Sequence, residues 1–347
     1  MSFTGIAPRK ALAQLHVWGG LIVTAPLALA ALTGAILLFR PDFSRLELTA
    51  RDAARPRLAL DRLMDAARAA HPASTPVQVR VSPDLRWAVC VMFADRELIF
   101  LHPQTGVVVH RGNYYGGFFG QAEYLHRLVF WGEAGKVLMG TAAIAFLILF
   151  ASGLVLLRSW RSVRLPRRAV GRGRWLLWHR WIGGVVGAAT LVSATTGVPI
   201  AFSWAKAMLG DASAALTPRR PMDKSRLGEP SETLERALKQ LIAVEPGAEQ
   251  FCLLFPKSSR DPLTAFYIAP DAPHPNARSF AWFDESGRML RQLPFAAAPT
   301  GDRAFYRALS LHFGQFWSGF GRVPLFLGCA TLLVLVITGA WSWWVRS

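Results

Sequence analysis

Four stretches of the chain are apolar for long enough to cross a bilayer, which takes about 20 residues of helix. They run near Leu12–Phe39, Val137–Leu157, Leu176–Trp204 and Val323–Val345. The first is too long for a signal-peptide core and no small-residue cleavage site follows it, so it is expected to be retained. Two long polar segments separate the spans pairwise, and each carries the same order of patterns. In the first, Leu60–Ala70 has helical periodicity, and Val77–Val81, Trp87–Phe93 and Glu97–Leu101 read as strands. A Pro103–Gly106 turn then leads to a strand over Val107–Val109. In the second, Glu232–Val244 reads as helix, followed by strands near Gln250–Phe255, Leu263–Ile268 and Ser279–Phe283. There an Asp284–Gly287 turn leads to Arg288–Leu290. A helix against a small antiparallel meander is a compact α+β module.

The spans repeat as well. His16 is followed by Trp18, Gly20 and Thr33-Gly34, and His179 at the same offsets by Trp181, Gly183 and Thr196-Gly197. Leu125-His126 precedes Phe130-Trp131, Gly135 and Gly153, as Leu311-His312 precedes Phe316-Trp317, Gly321 and Gly339. The expected fold class is therefore a membrane protein of four transmembrane helices, two parallel-repeat helix pairs, with two extracytoplasmic α+β modules. In residues, the spans fall at 1–40, 126–158, 175–205 and 312–347, the modules at 41–125 and 206–311, and an Arg-rich loop at 159–174.

Charge orients this arrangement. The net charge is +17, yet only 18% of residues are charged and 52% are apolar, which argues against a soluble nucleic-acid binder. Residues 158–174 hold seven Arg and no acid; Arg9, Lys10, Arg180 and Arg346 lie on the same side of the spans, while the long segments are nearly balanced. The positive-inside rule places both termini in the cytoplasm and both modules outside. The Arg run reads as a topology signal touching membrane lipid, with no role in binding nucleic acid. Three Cys, with no CxxC or CxxCH, give neither a disulfide framework nor a c-type haem site.

That orientation sorts four of the eight His into pairs. His16 and His179 start spans from the cytoplasmic side, and His126 and His312 start spans from the outside. Ionisable side chains in a membrane bundle point to function. Two His facing across a bundle suit bis-imidazole axial ligation of a haem iron, the neutral ring being the ligating form. Gly20 and Gly183 lie one turn after their His on the same face, leaving room for a flat macrocycle. Gly34 and Gly197 lie five turns on, where they could border a second haem held by His126 and His312. Zinc is disfavoured because no carboxylate or Cys accompanies either pair. His71, His102, His110 and His274 lack repeat equivalents and read as surface or structural residues. A helix continuous from His126 to Arg158 would put that His about 48 Å from the cytoplasmic end; a break near Gly132 and Gly135 would shorten the gap.

The paired His-x-Trp…Gly-Gly and Leu-His-x3-Phe-Trp segments, with the two helix-plus-meander modules, resemble the PepSY-associated transmembrane proteins of bacterial iron uptake, which include inner-membrane ferric-siderophore reductases. The resemblance covers nearly the whole chain. It implies PepSY-like modules, two b-type haems with His16, His179, His126 and His312 as axial ligands, and an enzyme reducing ferric siderophore on the periplasmic side. No GxGxxG stands in a strand–helix context, so the electron donor is expected to be separate, either a cytoplasmic protein or a quinol. Tyr114, Tyr115 and Arg111 are candidates for the substrate side. Two other readings stay open: a different haem b quinol oxidoreductase, and a non-enzymatic membrane anchor whose modules bind an envelope partner.

Overall fold

A computed structural model describes residues 8–43, 45–48, 55–157, 171–185, 187–210, 232–256, 258, 261–317 and 320–345. Residues 158–170, most of the Arg-rich segment, lie outside the described residues, as does Arg346. The chain divides into two compact units: residues 1–40, 121–206 and 308–347 form one, and residues 41–120 and 207–307 the other.

The first unit is a helix bundle. Its elements are α1 (Pro8–Leu37), the end of α3 (Gly117–His126), α4 (Gly132–Leu156), α5 (Gly171–Val185), α6 (Gly187–Ala201), the start of α7 (Ser203–Met208), the end of α9 (Thr300–His312) and α10 (Arg322–Trp344). Among the described residues, three helical stretches, Pro8–Leu37, Val129–Leu156 and Arg322–Trp344, are long and apolar enough to cross a membrane. The expected third span is not one straight helix. Gly171–Val185 and Thr190–Ala201 meet at 69° and make a fourth span only when taken together. Glycines at 183, 184 and 187 weaken helix propagation there. Gly187 also faces Phe150, whose ring would lie 2.8 Å from an added Cβ.

Helix α1 packs on α4 and α10, α10 on α5 and α6, and α4 on α6. Leu27, Ala31, Ala142, Phe146, Ala194 and Leu332 form the buried centre, with Phe150 and Val336 packed against it. Small residues set the approach of the helices, as membrane packing requires. A Cβ on Gly140 would sit 2.5 Å from Phe202, and Thr190 donates to the Gly328 carbonyl at 3.0 Å across the α6–α10 contact.

The second unit is built on one eight-stranded antiparallel sheet. Its strands are β1 (Pro76–Val81), β2 (Val89–Phe93), β3 (Glu97–Leu101), β4 (Val108–Asn113), β5 (Phe251–Leu254), β6 (Leu263–Ile268), β7 (Arg278–Phe283) and β8 (Met289–Leu293). Their order is β4-β3-β2-β1-β5-β6-β7-β8. The two expected modules are therefore halves of one sheet. The first strand of each would be a bare edge, and edges are liabilities. Here they pair with each other, Val79 opposite Leu253 and Arg80 opposite Cys252.

Helices α2 (Leu60–Ala70) and α8 (Thr233–Val244) cover one face, and Leu60, Leu63, Met64, Leu234, Leu238 and Leu241 share a single core with the alternating residues of both half-sheets. The two helices cap each other. Asp61 accepts from the backbone N–H groups of Leu234 and Glu235 at 3.2 and 3.0 Å, while Glu235 accepts from Leu60 N at 2.8 Å and from Arg57. Glu232, at the N-cap of α8, makes no side-chain cap of its own, so Asp61 supplies it.

Candidate functional site

Two helices that the sequence pattern does not announce carry His126 and His312. α3 and α9 each end on the His, and the chain then turns before the following apolar helix begins. Leu128 and Gly132 take φ values of 45° and 54° around a 3₁₀ turn at Val129–Trp131, and Gly314 takes φ of 67° at the equivalent place. The polypeptide thus breaks between His126 and α4. The second helix is not continuous from His126.

The four His meet in the two expected pairs. The His16 ring on α1 faces His179 on α5, with centroids 6.1 Å apart and planes at 82°. The His126 and His312 rings lie 6.5 Å apart with planes at 56°. Each pair takes one His from each repeat.

Each ring leans on the other apolar helix of its own repeat, against a hydroxyl residue followed directly by glycine. The His16 Nδ1 lies 2.9 Å from Ser152 Oγ, and its Cε1 is 3.2 Å from where a Cβ on Gly153 would be. His179 stands likewise on Thr338 Oγ1 at 3.2 Å and Gly339 at 3.2 Å. His126 stands on Thr33 Oγ1 at 2.9 Å and Gly34 at 3.4 Å. His312 stands on Thr196 Oγ1 at 3.1 Å and Gly197 at 3.3 Å. The carbonyls of Leu335 and Ser193 also face the Nδ1 of His179 and His312, at 3.1 and 3.2 Å.

Gly34 and Gly197 therefore sit directly under the rings of His126 and His312. Gly20 faces open space, with nothing within 4 Å of an added Cβ, and Gly183 meets only Leu335 at 3.4 Å. Ser152, Gly153, Thr338 and Gly339 were not among the site residues inferred from the sequence. The readable signal was the Ser/Thr-Gly dipeptide, which occurs once within each of the four apolar stretches: Thr33-Gly34, Ser152-Gly153, Thr196-Gly197 and Thr338-Gly339.

Among the described residues, no hydrogen bond is made by the Nε2 atom of any of the four rings. A metal–imidazole bond of about 2 Å, plus about 1 Å from nitrogen to ring centre, puts two trans ligands about 6 Å apart, centre to centre. Both pairs have that spacing. No group of three or more His, Cys, Asp or Glu suited to a metal ion occurs among the described residues. A donor set of two imidazoles fits a metal whose other positions are filled by a planar macrocycle, and Gly20 leaves space beside His16. The residues present fit a b-type haem at each pair.

Along α1, 17 residues separate His16 from Thr33, which touches His126, so the pairs lie about 26 Å apart at 1.5 Å per residue. Phe146 and Phe150, with ring centres 6.2 Å apart, lie in the apolar core of this bundle.

The other His residues have local roles. His71 pairs with Asp95 at 2.7 Å, and that hydrogen bond holds the Asp95 carboxyl below its ordinary range. His274 is buried against Phe295, and the His102 Nδ1 accepts from Gln104 N. His110 is exposed on β4. Arg111 lies on the same edge strand, and Tyr114 stacks edge-on against Phe43 and Tyr115 just beyond it.

A family model described as the PepSY-associated TM region matches residues 13–346. No curated protein matches the chain.

Proposed function

The chain belongs to the PepSY-associated transmembrane family, and from that premise we propose that it is a di-haem b electron-transfer protein of the bacterial inner membrane that reduces ferric siderophore on the periplasmic side. The observation that carries the haem reading is the pair of facing imidazoles, present twice, each with Nδ1 engaged and Nε2 turned to no partner. His16 and His179 would hold one haem, and His126 and His312 the other. When bound, each haem would supply one-electron exchange.

The chain's own residues supply position, insulation and direction. The Ser/Thr-Gly seats fix the rings, and Leu27, Ala31, Phe146 and Leu332 keep water from the core between the pairs. The Arg excess at residues 158–174 orients the His16/His179 pair toward the cytoplasm, where a separate donor, protein or quinol, delivers the electron. The substrate class follows from the family resemblance. A siderophore holds hard Fe(III); one electron converts it to Fe(II), which the unchanged ligand holds less strongly, and iron is released without any bond of the siderophore breaking.

The test is a visible spectrum of the purified full-length protein. Soret and reduced α bands of a low-spin b haem at two per chain are expected, and their absence overturns the haem reading. His312→Ala is expected to lose one haem and keep the other; a variant that loses neither refutes the pairing. Mixing the reduced protein with a ferric siderophore should reoxidise it, and a spectrum that stays reduced refutes the substrate assignment.

A further inference from the structure

The hydroxyls that meet the four rings each have one proton, and in every case it is already committed. Ser152 donates to Leu149 O at 3.0 Å, Thr33 to Leu29 O at 2.6 Å, Thr196 to Val192 O at 2.5 Å and Thr338 to Val334 O at 2.7 Å. These are the usual back-bonds of Ser and Thr inside a helix, to the carbonyl one turn earlier. A hydroxyl so engaged can only accept from a further partner. The 2.9–3.2 Å contacts to the four Nδ1 atoms therefore require the ring to donate. The carbonyls of Leu335 and Ser193, which have no proton to give, impose the same on His179 and His312.

From this we infer that Thr33, Ser152, Thr196 and Thr338 are positioning residues that lock their His in the Nδ1–H tautomer and so leave the lone pair on Nε2. The inference deepens the haem reading and rests on it for its consequence. A neutral imidazole has one donor and one acceptor nitrogen, and the hydrogen bond at one decides which nitrogen is left to ligate. Such outer partners also fix ring orientation and raise ligand basicity, and losing one costs about 10- to 100-fold in metal affinity. A more basic axial ligand favours ferric over ferrous iron. The hydroxyls would therefore lower the reduction potential of the centre they serve.

The arrangement explains a sequence feature that helix packing alone does not. Small residues at a helix contact need only be small, and Gly or Ala would serve in place of Ser or Thr. Here the small residue before each glycine carries an oxygen in all four places, and in all four that oxygen meets a ring nitrogen. The glycine and the hydroxyl divide the work. The glycine admits the ring to contact distance, and the hydroxyl sets its rotation and proton.

The experiment compares Thr33→Val, which keeps the shape and removes the acceptor, with Thr33→Ser, which keeps the acceptor. Both are made in the full-length protein. In a spectroscopic redox titration, Thr33→Val should raise the midpoint of one centre by about 59 mV, a tenfold change for a one-electron couple, and leave the other in place. Thr33→Ser should restore it. Nitrogen-15 shifts of labelled histidine in protein expressed without haem give a second readout. Wild type should show His126 protonated at Nδ1, and Thr33→Val should show that preference lost. A protein that binds two haems but whose potential and tautomer ignore Thr33→Val overturns this inference and leaves the haem reading standing. A protein that binds no haem yet shows the Nδ1–H tautomer sustains the lock and removes the haem reading.

Discussion

The glycines beneath the rings make a steric prediction that can be scaled atom by atom. At Gly153 an added Cβ would sit 3.2 Å from His16 Cε1 and 3.9 Å from Nδ1. Carbon atoms prefer about 3.5–4.0 Å, so Gly153→Ala forces the ring back by several tenths of an ångström. Metal–ligand distances tolerate about 0.2 Å. The alanine variant is therefore expected to weaken haem retention at the His16/His179 pair by about tenfold, or about 1.4 kcal/mol at 298 K, toward the lower end of what outer-shell changes cost. Gly153→Leu puts a branched chain where the ring stands and is expected to empty that centre. Gly34→Leu should do the same to the His126/His312 pair alone, since its Cβ would meet His126 Cε1 at 3.4 Å.

The assay is the haem-to-protein ratio of full-length variants, with circular dichroism to confirm that each has folded. Gly20 is the control that separates the protein's own packing from the cofactor's. Nothing lies within 4 Å of its added Cβ, so Gly20→Leu should leave the thermal midpoint of the haem-free protein unchanged. If it nevertheless halves the haem content, the open space beside His16 is where the macrocycle lies. A folded Gly153→Leu protein with both centres filled and unchanged spectra would refute the reasoning about the seats.

Two further outcomes concern the sheet unit. Asp61→Ala removes the acceptor for two backbone N–H groups at the start of α8 and is expected to cost about 2–3 kcal/mol in thermal or denaturant unfolding, with Asp61→Asn costing about half that; a loss below about 0.5 kcal/mol would mean that water replaces the carboxylate. Cys90 and Cys252 flank Arg80 on the sheet, and burial pushes both thiols up to about 12. The folded state thus holds these protons more tightly than the unfolded chain does, so their contribution to stability is complete below the ordinary thiol range and is lost as pH rises toward 12. Maleimide should leave both unlabelled at pH 8 until the protein unfolds, and fast labelling of the native protein would contradict that burial.

What the sequence made legible was whatever has a short period. Helix α2 and strands β3 and β6 have the bounds that their apolar periodicity predicts, because each buries one face of a regular element. The join between the half-sheets was not legible. It depends on Gln78–Val81 meeting Phe251–Leu254, partners more than 160 residues apart with no local mark of their pairing. Helices α3 and α9 were missed for a different reason: both open with glycine near the first turn, at Gly117 and Gly301, which reads as loop. The bend between α5 and α6 falls among glycines that were noticed as a repeat and not as a break. The four His were legible through duplication alone. A single His on an apolar face means little, and it was the equal offsets in two repeats that sorted them into pairs.

Duplication also explains why each site is assembled as it is. Within a repeat, every His has its seat: His16 on Ser152-Gly153 and His126 on Thr33-Gly34 in the first, His179 on Thr338-Gly339 and His312 on Thr196-Gly197 in the second. What a repeat lacks is the opposite imidazole. One copy presents two oriented rings with nothing trans to them, and the second copy, in parallel orientation, supplies both partners at once. The same logic runs through the sheet, where each half leaves β1 or β5 bare and the other half pairs with it. The breaks after His126 and His312 then set the spacing. Each His reaches back to the Thr-Gly seat beside it instead of riding on a continuation of the next helix, so the pairs stand about 26 Å apart along α1, whereas one continuous helix from His126 to Ser152 would span about 39 Å. The proposed two-centre relay across a bilayer core of about 30 Å would need a separation of that order, and the turns at Leu128–Gly132 and Gly314 are the local structures that would provide it.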